Sequence, residues 1–278
     1  MINSSAPTVA LRPAAIDEQF LGAGPIPPTQ DACGAVGRRC FNPTSIQNSY
    51  NLTPLYAANQ DGRGQTIAII DSFGSVNMAH DLHVFDSQFG VQAMCGEEAV
   101  TCTGGMPTFS ILHVQGSPAP VPSGQGKNGT GTQNRSAWAL EVSLDVEWAH
   151  SVAPKANILL VTTPVAETQG VQGLTQMMNA EQYVIDNHLA TVISQSFGTT
   201  EENLNGNIEP LRHAFKSAPA AGVTVLASSG DGGTANASKT PTKTPSTYPF
   251  ATVIWPSSDP LVTSVEAPTS APTRLSAE

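Results

Sequence analysis

The chain has 278 residues, a formal net charge of −10 and only 12 lysines and arginines, so it lacks the basic stripe that nucleic-acid binding needs. Its length suits one large α/β domain, and it contains no run of about 18 apolar residues that could span a membrane. Charged residues make up 12% of the chain, which leaves few ion pairs to lose in acid. We therefore expect a monomer that binds neither nucleic acid nor a membrane.

The four cysteines fall into two close pairs, Cys33 with Cys40 and Cys95 with Cys102. No histidine accompanies them at zinc-ligand spacing, and no Cys-x-x-Cys is present. We expect two local disulfides, each contributing about 2 kcal/mol, and hence an oxidising, extracellular compartment. Four reduced thiols in a cytosolic protein are the alternative. The first residues show no signal-peptide pattern, so an export signal would have to lie upstream.

Composition divides the chain into three parts. Residues 1–45 are rich in Pro, Gly and Ala and predict an N-terminal arm without regular structure. Residues 46–265 carry the regular patterns and predict the domain itself, and residues 266–278 form a tail of different character. Within the domain, residues 104–136 are rich in Gly, Ser, Pro, Thr and Asn and predict a long loop.

Short apolar runs alternate with helical patterns along the domain, which indicates a parallel sheet with helices on both faces. Ligands of such sheets bind at the carboxyl ends of the strands. The predicted strands cover residues 65–71, 154–162, 191–198 and 223–230, and the predicted helices cover residues 76–89, 138–150, 171–188 and 207–221.

Small polar residues, glycines and acids gather at the ends of three predicted strands. The first strand ends in Asp71-Ser72, the third in Ser194-Gln-Ser196-Phe197-Gly198, and the fourth runs into Ser229-Gly-Asp231-Gly. Each segment alone is ordinary turn chemistry. Their joint occurrence at one edge of the sheet predicts a functional site there.

Glu141 and Asp145 are the most informative pair in the sequence. If residues 138–150 are helical, the i, i+4 spacing puts both carboxyl groups on one face, where they repel each other. One of the two then holds its proton above the usual pH, and a shared proton is what acid catalysis uses. Trp138, Val142 and Val146 form an apolar row beside them, so the acids border a buried face. Two solvated acids on an exposed helix are the alternative.

The order of these motifs resembles the subtilisin-like fold. The residues that carry the resemblance are Ile67-Ala-Ile-Ile-Asp71-Ser72, Val152-Ala-Pro after the helix, Ser194-Gln-Ser196-Phe-Gly198 and Ser229-Gly-Asp231-Gly. Subtilisins have a histidine where this helix carries Glu141 and Asp145. That replacement resembles the sedolisins, the serine-carboxyl peptidases, over about residues 43–265. The resemblance implies a three-layer α/β fold with a mostly parallel central sheet.

The resemblance also implies roles for particular residues. Glu141 would be the general base that takes a proton from a serine hydroxyl, and Asp145 would hold and tune it. Asp231 would stay protonated and donate a hydrogen bond to the oxyanion. Ser196, Phe197 and Gly198 would pair with the backbone of a protein or peptide substrate as an added strand. Such a site works only in acid, so activity should fall toward neutral pH.

The sequence departs from the family pattern after residue 265. The family's nucleophile lies in a Gly-Thr-Ser motif, and the calcium expected for the complete family domain binds an Asp- and Gly-rich loop; the sequence contains neither. We therefore expect a C-terminally truncated peptidase that is inactive alone. Ser270 is a poor nucleophile candidate because no glycine precedes it. A peptide-binding remnant of a peptidase, without catalysis, is the alternative function.

Asp71 with His80 or His83 suggests a second alternative, a Ser-His-Asp hydrolase. Asp71 occupies the place of the subtilisin acid. The two histidines lie on the helix directly after the first strand, without the glycine-rich exposure that a triad histidine needs, so capping or surface roles are favoured.

Overall fold

The computed structural model describes residues 12–13, 29–35, 40–116, 130–164, 171–238 and 246–266. The helices within these residues are α1 Gln30–Ala35, α2 Pro43–Ser49, α3 Thr53–Ala57, α4 Met78–Phe89, α5 Thr130–Val152, α6 Val171–Asp186, α7 Glu201–Leu204, α8 Ile208–Leu211, α9 His213–Ser217 and a 3₁₀ helix at Pro219–Ala221. The strands are β1 Arg12–Pro13, β2 Thr66–Ser72, β3 Phe109–His113, β4 Asn157–Thr163, β5 Val192–Gln195, β6 Phe197–Thr200, β7 Thr224–Ser228, β8 Ala237–Ser238, β9 Ser246–Thr247, β10 Ile254–Trp255 and β11 Thr263–Val265.

The largest sheet in the described residues has six strands in the order β11-β7-β5-β2-β4-β3, and its pairs are parallel. Strand β2 is buried on both faces because successive side chains alternate between two cores. Ala68 and Ile70 face the core that includes residues of α6 and α9, while Ile69 faces the core that includes residues of α4 and α5. Helices therefore cover both faces, and the expected three-layer α/β fold is confirmed.

Three predicted elements differ from the structure. Strand β3 and the beginning of α5 lie within residues 104–136, where the sequence predicts a loop. The predicted strand 191–198 is two strands, because the chain leaves the large sheet at Ser196. The predicted helix 207–221 is three short helices separated at Arg212 and Ala218; the second break directly precedes Pro219, which lacks the backbone N–H donor that would continue the helix.

The beginning of the chain also contains helices where no regular structure is expected. Asn42 caps α2 by accepting a hydrogen bond from the Ser45 amide at 2.8 Å. The Gln47 side-chain amide then donates to the Ser151 carbonyl at 2.7 Å. Tyr56 donates its hydroxyl to the Val152 carbonyl, also at 2.7 Å. These two donors satisfy free carbonyls at the last turn of α5, so the N-terminal helices fix the end of the helix that carries the acid pair.

Both expected disulfides are present, Cys33 with Cys40 and Cys95 with Cys102. The second one closes a loop beside β3, where the Phe109 amide donates to the Cys95 carbonyl at 2.8 Å. No helix in the described part of the chain combines the length and apolar character of a membrane span.

Gly96 lies in this loop at a position that only glycine fits. Its φ is +116°, and a Cβ atom there would lie 2.1 Å from the Phe109 carbonyl oxygen. We expect Gly96→Ala to lower the free energy of unfolding by about 1–3 kcal/mol, because backbone would have to move. Urea denaturation measures this loss. Gly104→Ala, two residues after Cys102, is the control, because no atom lies within 4 Å of its added methyl group; equal stability of the two variants would contradict the prediction.

Candidate active site

The structure brings the carboxyl ends of β2, β5 and β7 to one level. Ile70 of β2 pairs with Gln195 of β5, and Gln195 pairs with Ala227 of β7. Asp71 follows Ile70 within β2, and Ser196 follows Gln195, the last residue of β5, so both residues come directly after this level. The predicted gathering of polar residues at one rim follows from this register.

Helix α5 places Glu141 and Asp145 over the same edge. Trp138, Val142 and Val146 are fully buried, which anchors this stretch of the helix against the sheet. Glu141 is buried with them at 1% exposure. The sequence predicts a buried face bordered by the acids, and the structure places one of the acids within it.

Asp145 has a pKa far above the usual value of an aspartic acid, so it keeps its proton in acid and at neutral pH. Burial raises its pKa to about 8, with a further contribution from the charge of Glu141, and a hydrogen bond from Ser196 opposes the rise. The Ser196 hydroxyl donates to Asp145 Oδ1 at 2.8 Å. Because the two acids share one buried space, they release their protons as a pair. In acid solution Asp145 is therefore the neutral, protonated member of the pair.

Asp71 is a third member of this group, although the sequence suggests it only as a strand-end acid and as the acid of a histidine triad. The side chain is 0% exposed, and neither carboxyl oxygen has a hydrogen-bond partner in the described residues. Burial raises its pKa well above the usual range, and the charges of Asp145 and Glu141 raise it further. An acid at the end of a buried strand was the available signal in the sequence, but only the packing of α5 on β2 brings it close to Glu141 and Asp145. We call Asp71, Glu141 and Asp145 the acid cluster.

The histidines of the alternative triad pair elsewhere. The ring of His80 contacts the Glu98 carboxylate, and His83 Nδ1 lies 3.2 Å from Glu97 Oε2. Asp71 has carboxyl groups as its charged neighbours instead. The structure therefore does not form a Ser-His-Asp arrangement around Asp71.

The electrostatic contact within the acid cluster has a direct test. We expect Asp145→Asn to lower the pKa of Asp71 by about one pH unit or more, because a like charge no longer opposes its ionisation. Carbon-detected NMR titration of the Asp71 carboxyl group measures this change. Glu181→Gln is the control: Glu181 is also fully buried, but its pKa is raised by burial alone. An unchanged Asp71 titration in Asp145→Asn would show that the two acids do not interact.

Ser196, Phe197 and Gly198 lie where the chain passes from the large sheet into a small one. Strand β6 is the middle strand of the order β1-β6-β10. The Phe197 side chain is buried, with its ring centroid 6.4 Å from that of Trp138, so only its backbone faces a partner strand. One edge of β6 pairs with β10, and Arg12–Pro13 pairs with Phe197 and Gly198 on the other.

Asp231 is electrostatically separate from the acid cluster, because none of the three acids contributes to its pKa. It follows β7 by three residues, and its side chain is exposed. Partial burial of its carboxyl group raises its pKa, with no contribution from another acid. Ile254 joins this turn to β6: a Cβ atom on Gly230 would lie 3.1 Å from Ile254 Cγ1, and one on Gly198 would lie 2.3 Å from Ile254 Cγ2. The two glycines thus allow Ile254 to hold the Asp231 turn beside the β6 strand.

The described residues offer no ligand set for a metal. No group of three or more His, Cys, Asp or Glu side chains among them is placed to hold an ion. The structure therefore assigns no side chains of the described residues to the calcium implied for the complete family domain.

Comparison with known proteins decides the family. The model of the Subtilase family matches residues 118–272, more than half of the chain. The chain belongs to the subtilase family. This subtilase chain is also similar to kumamolisin from Bacillus sp. (strain MN-32), at 27% identity over 194 residues, which cover 69% of this chain and 29% of kumamolisin.

The fold of the subtilase chain matches a solved sedolisin. It resembles Pseudomonas sedolisin, a serine-carboxyl proteinase complexed with two molecules of pseudo-iodotyrostatin, with a TM-score of 0.52 and 23% identity. The match covers 81% of this chain and 52% of the sedolisin chain. The chain thus spans about half of that structure and under a third of kumamolisin. These findings confirm the expected sedolisin-like and subtilisin-like relationship.

Proposed function

We propose that this chain carries the acid site of a secreted serine-carboxyl peptidase that hydrolyses peptide bonds in proteins at acid pH. The acid cluster is the observation that carries the proposal. In this subtilase chain the three carboxyl groups of the acid cluster lie at the carboxyl ends of the sheet strands, and Asp71 and Glu141 are almost fully buried there. Burial of like charges destabilises the fold unless the groups keep protons, so such a cluster is characteristic of functional sites.

In the proposed reaction, Glu141 is the general base. Its carboxylate removes the proton from a serine hydroxyl while the serine oxygen attacks the substrate carbonyl carbon. The same proton then passes to the leaving amine as the carbon–nitrogen bond breaks. Asp145 keeps its own proton in acid because its pKa is about 8, so the negative charge of the pair resides on Glu141. Asp145 therefore tunes the base without competing for the serine proton.

Asp231 would stabilise the oxyanion. A protonated carboxyl group donates a hydrogen bond to the developing charge, whereas a carboxylate would repel it. Partial burial raises the pKa of Asp231 above its usual value, which widens the acid range in which the donor is present. Activity is lost as pH rises through that pKa, because the donor becomes an anion.

The edge of β6 that pairs with Arg12–Pro13 supports the proposal of a peptide substrate. Arg12–Pro13 of this chain already lies there as an antiparallel strand opposite Phe197 and Gly198. An edge that accepts an extended segment of its own chain offers the same backbone groups to a substrate. The two disulfides support the proposed extracellular location, since they form in oxidising compartments.

The test joins this chain to a subtilase segment that supplies a Gly-Thr-Ser nucleophile, because the sequence contains no such motif. We expect the joined protein to hydrolyse a denatured protein substrate at pH 4 and to lose activity by pH 7. Replacing the supplied serine by alanine is the control and should abolish hydrolysis. A folded joined protein that is inactive at every pH would argue against the proposal.

Peptide binding without catalysis is the second candidate. The pairing of Arg12–Pro13 with β6 supports it, because this pairing needs no nucleophile. Under this function the unmodified chain binds unfolded peptides at pH 4 and releases them intact. Mass spectrometry of the recovered peptides distinguishes binding from cleavage.

A further inference from the structure

Ser196 occupies the point where the chain changes sheets. The preceding strand β5 pairs in parallel with β2 and β7 in the large sheet. The following strand β6 pairs antiparallel with β1 and β10 in the small sheet. Ser196 is the one residue between the two strands. It therefore directly follows the end of β5, next to the acid cluster, and directly precedes the β6 residues that pair with Arg12–Pro13.

Two adjacent side chains attach this point to α5. The Ser196 hydroxyl donates to Asp145 Oδ1 at 2.8 Å, and the Phe197 ring packs near Trp138. Asp145 and Trp138 lie two helical turns apart, so the start of β6 is held to the helix at two separate positions. The other carboxyl oxygen of Asp145, Oδ2, is buried and has no hydrogen-bond partner in the described residues. The bond from Ser196 is therefore the contact that fixes the orientation of this carboxyl group.

We infer that Ser196 is a positioning residue that couples a peptide paired on β6 to the proton held by Asp145. The inference rests on the proposed function, because it assigns a regulatory role to the same site. A hydroxyl donor favours the carboxylate form over the neutral acid. A peptide that pairs with Phe197 and Gly198 acts on the residues directly after Ser196, so it alters the position of that donor. By linkage, protonation of Asp145 then changes the affinity for the peptide by the same factor by which the bound peptide changes the proton affinity of Asp145.

The first measurement is the titration of Asp145. We expect Ser196→Ala to raise the pKa of Asp145 by about one pH unit, since a hydrogen bond to a charged group is lost. Ser196→Thr keeps the hydroxyl and should restore the original titration. Ser143→Ala is the matched control on α5, because that hydroxyl donates to the Ala139 carbonyl and to no acid. Near-UV circular dichroism verifies that each variant is folded.

The second measurement uses the segment already paired on β6. Hydrogen exchange at the amides of Arg12 and Gly198, corrected for the intrinsic pH dependence, reports how tightly β1 is held. We expect this protection to change across the Asp145 titration in the unmodified chain and to lose that change in Ser196→Ala. A merely structural role of Ser196 would lower protection equally at every pH, and that result would overturn the inference.

The outcomes separate the inference from the proposed function. An Asp145 titration that is the same in Ser196→Ala and in the unmodified chain overturns the inference, as does an equal change in Ser143→Ala. The proposed function fails by a different result, acid hydrolysis that persists without the Glu141 carboxylate. Each result can occur without the other.

Discussion

Replacing Glu141 by glutamine in the joined protein lowers kcat/KM for a peptide at pH 4 by about 10²–10⁴-fold, the usual contribution of a general base. Glutamine keeps the size and polarity of the side chain but cannot take up a proton. The loss falls mainly on kcat, since the base acts on the serine in the transition state and not on the bound substrate. Initial rates at saturating and at low substrate concentration separate the two parameters.

Glu147→Gln is the matched control for this experiment. Glu147 lies on the same helix but faces Asp81 and Asp86 of α4 instead of the acid cluster. Glutamine resembles the protonated acid that Glu147 is expected to be at pH 4, so activity should be retained. Full activity of Glu141→Gln would show that another group is the base, and the assignment of the acid cluster would be wrong.

The free energy of unfolding decreases as pH rises from about 4.5 to about 8, by several kcal/mol in total. Burial, followed by the charges of Asp81 and Asp86, raises the pKa of Glu147 to about 8 from its usual 4.5. Burial likewise raises the pKa values of Asp145 and Glu181. Between the unfolded and folded pKa values the folded chain binds more protons than the unfolded chain. The stability that Glu147 and Asp145 contribute is therefore complete below their usual pKa values of 4.5 and 3.8 and is lost as pH rises through about 8.

The surroundings of Glu147 explain why it contributes. Helices α4 and α5 bring acids and histidines together away from the proposed site, with His150 Nε2 lying 3.2 Å from Asp86 Oδ2 in a fully buried pair. Glu97, near this pair, also has a raised pKa, mainly through burial. Among the described residues, burial and the charges of Asp81 and Asp86 raise the pKa of Glu147, and no cation opposes them, so ionised Glu147 is unfavourable in the fold.

Urea denaturation at pH 4, 6 and 8 measures this prediction. Glu147→Gln should lose less stability between pH 4 and pH 8 than the unmodified chain, because glutamine has no proton to release. Glu98→Gln is the control, since its carboxyl group is exposed beside His80. A stability that rises toward pH 8, or an equal pH dependence in Glu147→Gln, would contradict the assignment.

Much of the fold and part of the site could be predicted from local pattern. The 3.6-residue period around Glu141 and Asp145 places both acids on one face of a helix, because side-chain direction along a helix depends only on spacing. The buried runs that became β2, β4, β5 and β7 were recognisable because strands covered on both faces are continuously apolar. The disulfides followed from the short separation of each cysteine pair.

Other features depend on contacts between distant parts of the chain, which no local pattern contains. Strand β3 escaped prediction because an edge strand needs only one buried face, and of its five residues Phe109 alone is fully buried. The break at Ser196 arises because β6 finds partners more than fifty residues away, at β10, and in the arm, at β1. Asp71 joins the acid cluster only because α5 packs on β2 and brings the charges of Glu141 and Asp145 close to it.

The sequence by itself determined which residues can supply the chemistry: two acids one helical turn apart, an apolar row that buries their helix, and polar residues at the strand ends. The tertiary structure decided how those residues behave. The raised pKa values of Asp71, Asp145 and Glu147 come from burial and from neighbours on other elements. The physical reason is that side-chain direction follows from local spacing, whereas desolvation and charge interactions depend on which segments the folded chain brings into contact.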